Sequence, residues 1–319
     1  MKSNKRRLNR QYRHLVLPMV LIALCLALVA ACNKGGGSGG EETETLTSGK
    51  GFILVDNTVQ PIVEDVLAVY HNVYDRAQIT QVNMTEQQII NALLKDSAKV
   101  AVLPRQLTAE EASHFKKLHV TPEVTHFATD AIALITNEKA TDTVINLEEV
   151  IKVLKGKPSA KVSKLVFDNA NSSTVKYLLK LANVKTVPSA NIYALKTNEE
   201  VIKFVHDNNG VVGIVGVNWL VQSPPSLAKY VEKITILAVD NVKADKGTKK
   251  YYKPNQSNIA TGLYPLTRKL YVLNYQGRQG LGMGFATYIS AREGQRIILK
   301  SGLLPVEIPT REIEVRNEL

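Results

Sequence analysis

Along the chain from residue 48, short apolar runs alternate with stretches in which apolar residues recur every three or four positions. The run GFILVD at 51–56 predicts a strand, and Ile62, Val63, Val66, Leu67, Tyr70 and Val73 follow it at helical spacing. Further strands are predicted at KVAVL (99–103), DAIALIT (130–136), KLVF (164–167), GVVGIVG (210–216) and KITILAV (233–239). Helix starts are marked by Thr85 with Gln88, Thr108 with Glu111 and Thr197 with Glu200, a hydroxyl followed three residues later by a long acceptor. This alternation implies an α/β fold with largely parallel sheets.

The amino terminus follows a different pattern. Lys2, Lys5, Arg6, Arg7, Arg10 and Arg13 precede an apolar run from Leu15 to Ala31, the layout of a signal peptide. The run ends in Val29-Ala30-Ala31 before Cys32 and NKGGGSGG, which resembles the lipobox of bacterial lipoproteins, with Cys32 as the acylated residue. A plain membrane anchor with a flexible tail is the alternative. Residues 1–31 are thus expected to be a lipoprotein signal peptide and 32–47 a Gly- and Glu-rich flexible tether, with the folded part beginning near Ser48. Lipid would tie the protein to a membrane of the bacterial cell envelope, facing the periplasm or the surface.

This processing changes both charge and cysteine content. The chain has 40 basic and 29 acidic residues. Removing the six basic residues of the leader leaves 34 − 29, or +5. No cluster of Lys and Arg interleaved with aromatics is present, so nucleic acid is not an expected partner. With only two cysteines, at 25 and 32, the mature chain has no disulfide and no catalytic thiol. Six histidines without a His-Glu-x-x-His pattern give no expected metal site, and no cofactor is expected either. The GRQGLGMG stretch at 277–284 reads as a loop, not a nucleotide-binding turn.

In open α/β sheets ligands gather where strands end and helices begin. Three such turns are polar without an evident packing purpose: Asp56-Asn57-Thr58, Pro104-Arg105-Gln106 and Asn171-Ser172-Ser173-Thr174. A helix N-terminus carries partial positive charge and free N–H groups, so three adjacent hydroxyls there suit an oxyanion. Capping of the helix explains one hydroxyl equally well. Ser173-Thr174-Val175-Lys176 also fits the Ser-x-x-Lys pattern of acyl enzymes, but its companion motifs are absent and no catalytic residue is assigned.

Taken in order, GFILVDNTVQPIVEDVLAVY, RQLTAEE (105–111), TDAIALITN (129–137), VFDNANSST (166–174), GVVGIVGVNW (210–219), YPLTRKLYVL (264–273) and SGLLP (301–305) resemble the PstS-like phosphate-binding family of periplasmic substrate-binding lipoproteins. The resemblance implies a type 2 periplasmic binding protein with two α/β lobes, each a mostly parallel sheet flanked by helices, joined by two hinge crossovers. Lobe 1 would comprise 48–134 and the return segment 261–319, and lobe 2 would comprise 135–260. It implies a small oxyanion, phosphate first, held in the cleft by Asn57, Thr58, Arg105, Ser172, Ser173 and Thr174 and delivered to an ABC permease. Asp56, Asp130 and Asp168 are read as acceptors of the ligand's proton or as structural.

Relatives commonly carry a serine where this chain has Pro104, and an arginine near the position of Asp168. Arg105 is read either as a ligand contact or as the partner of Asp56 or Asp130, and Arg268 as a residue that fixes the returning segment. Two functions stay open on these residues: a solute receptor for transport, and a ligand-poor envelope scaffold or sensor on the same fold.

Overall fold

The computed structural model describes residues 44–188, 190–241 and 250–309. The expected signal peptide, Cys32 and all of the expected tether but its last four residues lie outside the described residues. The strands are β1 (Gly49–Asp56), β2 (Ala77–Met84), β3 (Val100–Leu103), β4 (Glu123–Asn137), β5 (Val144–Ile145), β6 (Lys164–Phe167), β7 (Ile192–Ala194), β8 (Val211–Gly216), β9 (Ile234–Ile236), β10 (Ala238–Asp240), β11 (Tyr251–Tyr252), β12 (Thr267–Asn274) and β13 (Leu304–Pro305). The helices are α1 (Gln60–Val73), α2 (Glu86–Leu94), α3 (Ala109–Lys117), α4 (Leu147–Leu154), α5 (Ser173–Ala182), α6 (Asn198–Asp207), α7 (Asn218–Val221), α8 (Ala228–Val231), α9 (Gln256–Ala260), α10 (Leu281–Ser290) and α11 (Arg292–Lys300). A short 3-10 turn, Asn57–Val59, joins β1 to α1.

One sheet runs in the order β2-β1-β3-β12-β4-β8-β6-β7, with β13 and β9 also paired to β4. Its two ends are parallel: β1 with β2 and β3, and β6 with β7 and β8. The middle is antiparallel, because β12 and β4 run against their neighbours. Strand β4 is the shared element. Its first part, through Ala131, pairs with β12, and from Ile132 it pairs with β8. The expected strand at 130–136 is thus the second half of a longer one, and Asp130 lies inside it, not at its start. The expected strand at 233–239 is two short strands, β9 and β10.

The predicted faces are buried as their spacing requires. On α1, Ile62, Val63, Val66, Leu67 and Tyr70 face the core, while Val73 is exposed. The boxes at Thr85/Gln88 and Thr108/Glu111 form, and the Thr197 hydroxyl accepts from the Glu200 N–H at 3.1 Å. One local reading is corrected: residues 281–284 form the first turn of α10, not a loop, with Gly284 lying against the backbone of Leu46. Glu44, four residues before Ser48, is tied to the same helix start, its carboxylate accepting from the Leu281 N–H at 2.7 Å and from Gln276 Nε2 at 3.0 Å. A carboxylate at a helix N-terminus satisfies an otherwise free donor and meets the positive end of the helix dipole.

Candidate functional site

The carboxyl ends of β1, β6 and β8 converge on one region, because the parallel group holding β1 and the parallel group holding β6 and β8 run in opposite directions and flank successive halves of β4, so they meet end to end. Asp56 ends β1 and the Asn57–Val59 turn follows it; past β6 come Asp168 and the start of α5; past β8, Asn218 and Trp219 on α7. Gly216 allows the approach, since a Cβ there would lie 3.0 Å from the Thr58 carbonyl oxygen and 2.8 Å from Asn218 Nδ2. That carbonyl accepts from Asn218 Nδ2 at 3.2 Å and from Trp219 Nε1 at 3.1 Å.

Arg268 is at the centre. It is the second residue of β12 and the direct register partner of Asp130 on β4. Its Nε and Nη2 donate to Asp130 Oδ2 at 2.9 and 2.8 Å. Nη1 reaches Ser173 Oγ at 3.0 Å and Thr174 Oγ1 at 3.2 Å, and Nη2 reaches Thr58 Oγ1 at 2.9 Å. The Thr58 and Ser173 hydroxyls in turn donate to Asp56 Oδ1, at 2.5 and 2.9 Å, and the Thr58 N–H donates to the same oxygen at 3.0 Å. Every one of these residues is buried, Arg268 being the most accessible at 6 %.

The expected site residues separate into groups. Asp56, Thr58, Ser173, Thr174 and Asp130 meet around Arg268. Ser172 caps α5, its Oγ accepting from the Val175 N–H at 3.3 Å. Asn57 joins through its carbonyl oxygen, 3.5 Å from Asn198 Nδ2. Arg105 turns elsewhere: its guanidinium binds Glu86 at 3.0 and 3.1 Å and Glu111 at 2.8 and 3.0 Å, and neither Asp56 nor Asp130 is its partner. Lys176 bonds to Glu86 and Gln87, not to Ser173, so the Ser-x-x-Lys spacing does not produce a lysine-activated serine here.

The charges are unevenly matched. Burial raises the pKa of Asp56 and of Asp130, and in both the Arg268 charge opposes it. Burial pushes Asp168 up to about 6, with the charge of Asp56 adding to the rise. Asp168 Oδ2 accepts from Asn198 Nδ2 at 3.4 Å. One oxygen of each carboxylate (Asp56 Oδ2, Asp130 Oδ1 and Asp168 Oδ1) is buried without a hydrogen-bond partner, as are the side-chain oxygens of Asn198 and Asn218. The cluster therefore combines a guanidinium and hydroxyls suited to an oxyanion with acceptors suited to a ligand's own protons. Among the described residues no group of His, Cys, Asp and Glu is arranged to hold a metal ion.

Sequence reasoning assigned Arg268 to the returning segment and did not single out Asn198 or Asn218. A signal for Arg268 existed. In TRKLYVLN it shares with Leu270 and Val272 the inward alternation of β12, so an arginine stood on a face built for aliphatics.

Parallel strand ends that converge on a buried arginine, with helices on the sheet faces, define a protein of the type 2 periplasmic-binding-protein class. The chain belongs to the PBP superfamily, whose domain model matches residues 40–293. Among curated proteins it is similar to the phosphate-binding protein PstS of Borreliella burgdorferi, 24% identical over 267 residues, covering 78% of this chain and 88% of that one. Among solved structures it is similar to a phosphate ABC transporter substrate-binding protein from Clostridium perfringens with bound phosphate. That match has a TM-score of 0.64 and 17% identity, covering 81% of this chain and 100% of that one. An ABC-type phosphate transport receptor from Vibrio cholerae gives a TM-score of 0.58 and 19% identity, covering 79% and 98%.

Proposed function

We propose that this chain is a solute-binding protein that takes a small oxyanion, phosphate first, at Thr58, Ser173, Thr174 and Arg268. One observation carries this reading: a buried guanidinium bonded to three hydroxyls drawn from two segments more than a hundred residues apart. A guanidinium offers an oxyanion two parallel N–H bonds, and the start of α5 adds partial positive charge. An entering anion would take the Nη1 and Nη2 donors, and the hydroxyls would rotate to donate to it. The unpartnered oxygens of Asp56 and Asp168 then accept the protons of a hydrogen phosphate. The names of the relatives support phosphate as the ligand and an ABC permease as the partner that receives it.

In this reading residues 48–134 and 261–319 form one lobe, 135–260 the other, and ligand favours their closure. Cys32 is lipidated and holds the protein at the cell envelope. A Cys32→Ser variant should take up no labelled fatty acid. The chemistry is binding, not catalysis, because Ser173 donates to a carboxylate and its neighbouring lysine is bound elsewhere.

One observation favours the second reading, a ligand-poor scaffold or sensor: the hydroxyls already have partners within the chain. Calorimetric titration separates the two. Phosphate binding by the purified protein, weakened at least about tenfold in Thr174→Ala by loss of a bond to a charged ligand, is the expected result. No heat with phosphate, sulfate or molybdate would leave the scaffold.

A further inference from the structure

We propose that Lys176, together with Glu86 and Gln87, forms a polar latch across the mouth of the anion cluster and sets the rate at which ligand leaves. The Lys176 ammonium donates to Glu86 Oε1 at 3.2 Å and to Gln87 Oε1 at 3.0 Å, joining residues 90 and 89 positions apart. Lys176 lies on α5 three residues past Ser173, so its side chain leaves the same side of the helix as the hydroxyl bound to Arg268. Glu86 begins α2, two residues past Met84, and Met84 is the register partner of Asp56. The latch thus ties the helix that carries Ser173 and Thr174 to the helix beside the strand that carries Asp56.

The Lys176 contact lies nearer the surface than the cluster. The Arg268 cluster is buried, whereas the Lys176 side chain is 33% exposed over a Glu86 side chain that is only 3% exposed. Glu86 is held in place from the other side: Arg105 binds the same Oε1 through Nε and Nη2, and is itself fixed by Glu111. One immobile carboxylate therefore faces a lysine that can leave with α5. Arg105 is a positioning residue here, acting through Glu86. An ion pair of this partly exposed kind is weakened by salt, while the buried cluster beneath is screened far less. The kinetic consequence rests on the oxyanion assignment; the geometry of the latch does not.

The chain carries its own reporter. Trp219 is its single tryptophan, buried, and donates to the Thr58 carbonyl across the same junction. Stopped-flow tryptophan fluorescence with inorganic phosphate should show dissociation roughly three- to tenfold faster in Lys176→Ala than in the wild type, the size expected for a partly buried pair. Lys176→Arg should restore the wild-type rate. Raising salt from about 0.1 to 1 M should accelerate release from the wild type but not from Lys176→Ala. Equal dissociation rates in wild type and Lys176→Ala, or equal salt acceleration in both, would overturn the latch. If calorimetry shows that the wild type does not bind phosphate, the oxyanion reading fails and the latch is tested without ligand. Lys176→Ala should then shift Trp219 emission to the red and increase the radius of gyration in X-ray scattering. Unchanged emission and dimensions would overturn it.

Discussion

Arg268 and Asp130 face each other across the β12–β4 ladder, with two guanidinium nitrogens on a single carboxylate oxygen at 2.9 and 2.8 Å. Both side chains are buried, and the same guanidinium is the charge that opposes the burial of Asp56. Removing it leaves two carboxylates without a counter-charge. Arg268→Ala is expected to destabilise the protein by about 3–5 kcal/mol, the cost of breaking a buried pair from one side. For a chain of this size that lowers Tm by roughly 6–20 °C. Arg268→Lys should recover part of the loss, because the charge returns without the paired N–H geometry. Thermal melts of both variants decide it, and a wild-type Tm in Arg268→Ala would mean that the pair is energetically neutral.

The three hydroxyls at 172–174 have separate jobs, and substitution should separate them. Ser172 caps α5 through the Val175 N–H, so Ser172→Ala is expected to cost about 1 kcal/mol of stability and leave phosphate affinity within about twofold. The Thr174 hydroxyl accepts from Arg268 Nη1 and caps no helix, so Thr174→Ala should keep the fold and lose ligand. Calorimetry beside thermal melts measures both effects. Affinity loss in Ser172→Ala equal to that in Thr174→Ala would merge the two roles.

How much of this was legible depended on whether the deciding contact was local. The helix caps, the apolar strands and the Ser172–Thr174 turn are set by residues within a few positions of one another, and the pattern displays them. Arg268 meets Thr58 across 210 residues and Ser173 across 95, and no spacing rule relates such positions. Arg105 shows the converse. As a lone cation beside a polar turn it invited a ligand role, yet Glu111, six residues on, and the buried Glu86 use its donors. The extra length of β4 was hidden because EVTHFAT before Asp130 mixes polar and apolar residues, and only pairing to β12 makes it strand.

Asp168 gives the stability a pH dependence whose sign follows from its raised pKa. The folded state holds this proton up to about pH 6, whereas the unfolded chain releases it near 3.8. Below 3.8 both states are protonated and the group contributes no difference. Between the two values the folded state binds more protons, so stability falls as pH rises, and above about 6 the full penalty remains. A shift of about two units corresponds to about 3 kcal/mol. Asp168→Asn, neutral at every pH, is therefore expected to melt higher than wild type at about pH 7.5 and level with it near pH 4. Melting curves across that range test the sign. A variant less stable than wild type at the higher pH would show that the ionised carboxylate is favoured where it sits.

Gly284 offers a prediction opposed to helix propensity. Alanine inside a helix is normally favoured over glycine by about 1 kcal/mol, and Gly284 lies within α10. Here a Cβ would fall 1.8 Å from the carbonyl oxygen of Leu46, which no rotamer change can relieve because the obstruction is backbone. The segment at 44–48 would have to lift. Its fastenings would go with it: the Tyr70 hydroxyl on the Leu46 carbonyl at 2.7 Å, and the Glu44 carboxylate on the Leu281 N–H and on Arg278 at 2.9 Å. Gly284→Ala is therefore expected to lose about 1–3 kcal/mol, as overpacked sites do, in place of the usual gain. Hydrogen exchange should rise at residues 45–50, and phosphate affinity should not change, because β1 separates this end of the chain from Asp56. The Leu46 side chain is exposed where the segment crosses α10, so looser exchange there without a change in Tm would place the segment outside the cooperative unit. A variant as stable as wild type, with exchange unchanged, would mean that the close approach of Leu46 to Gly284 is not a feature of the folded protein in solution.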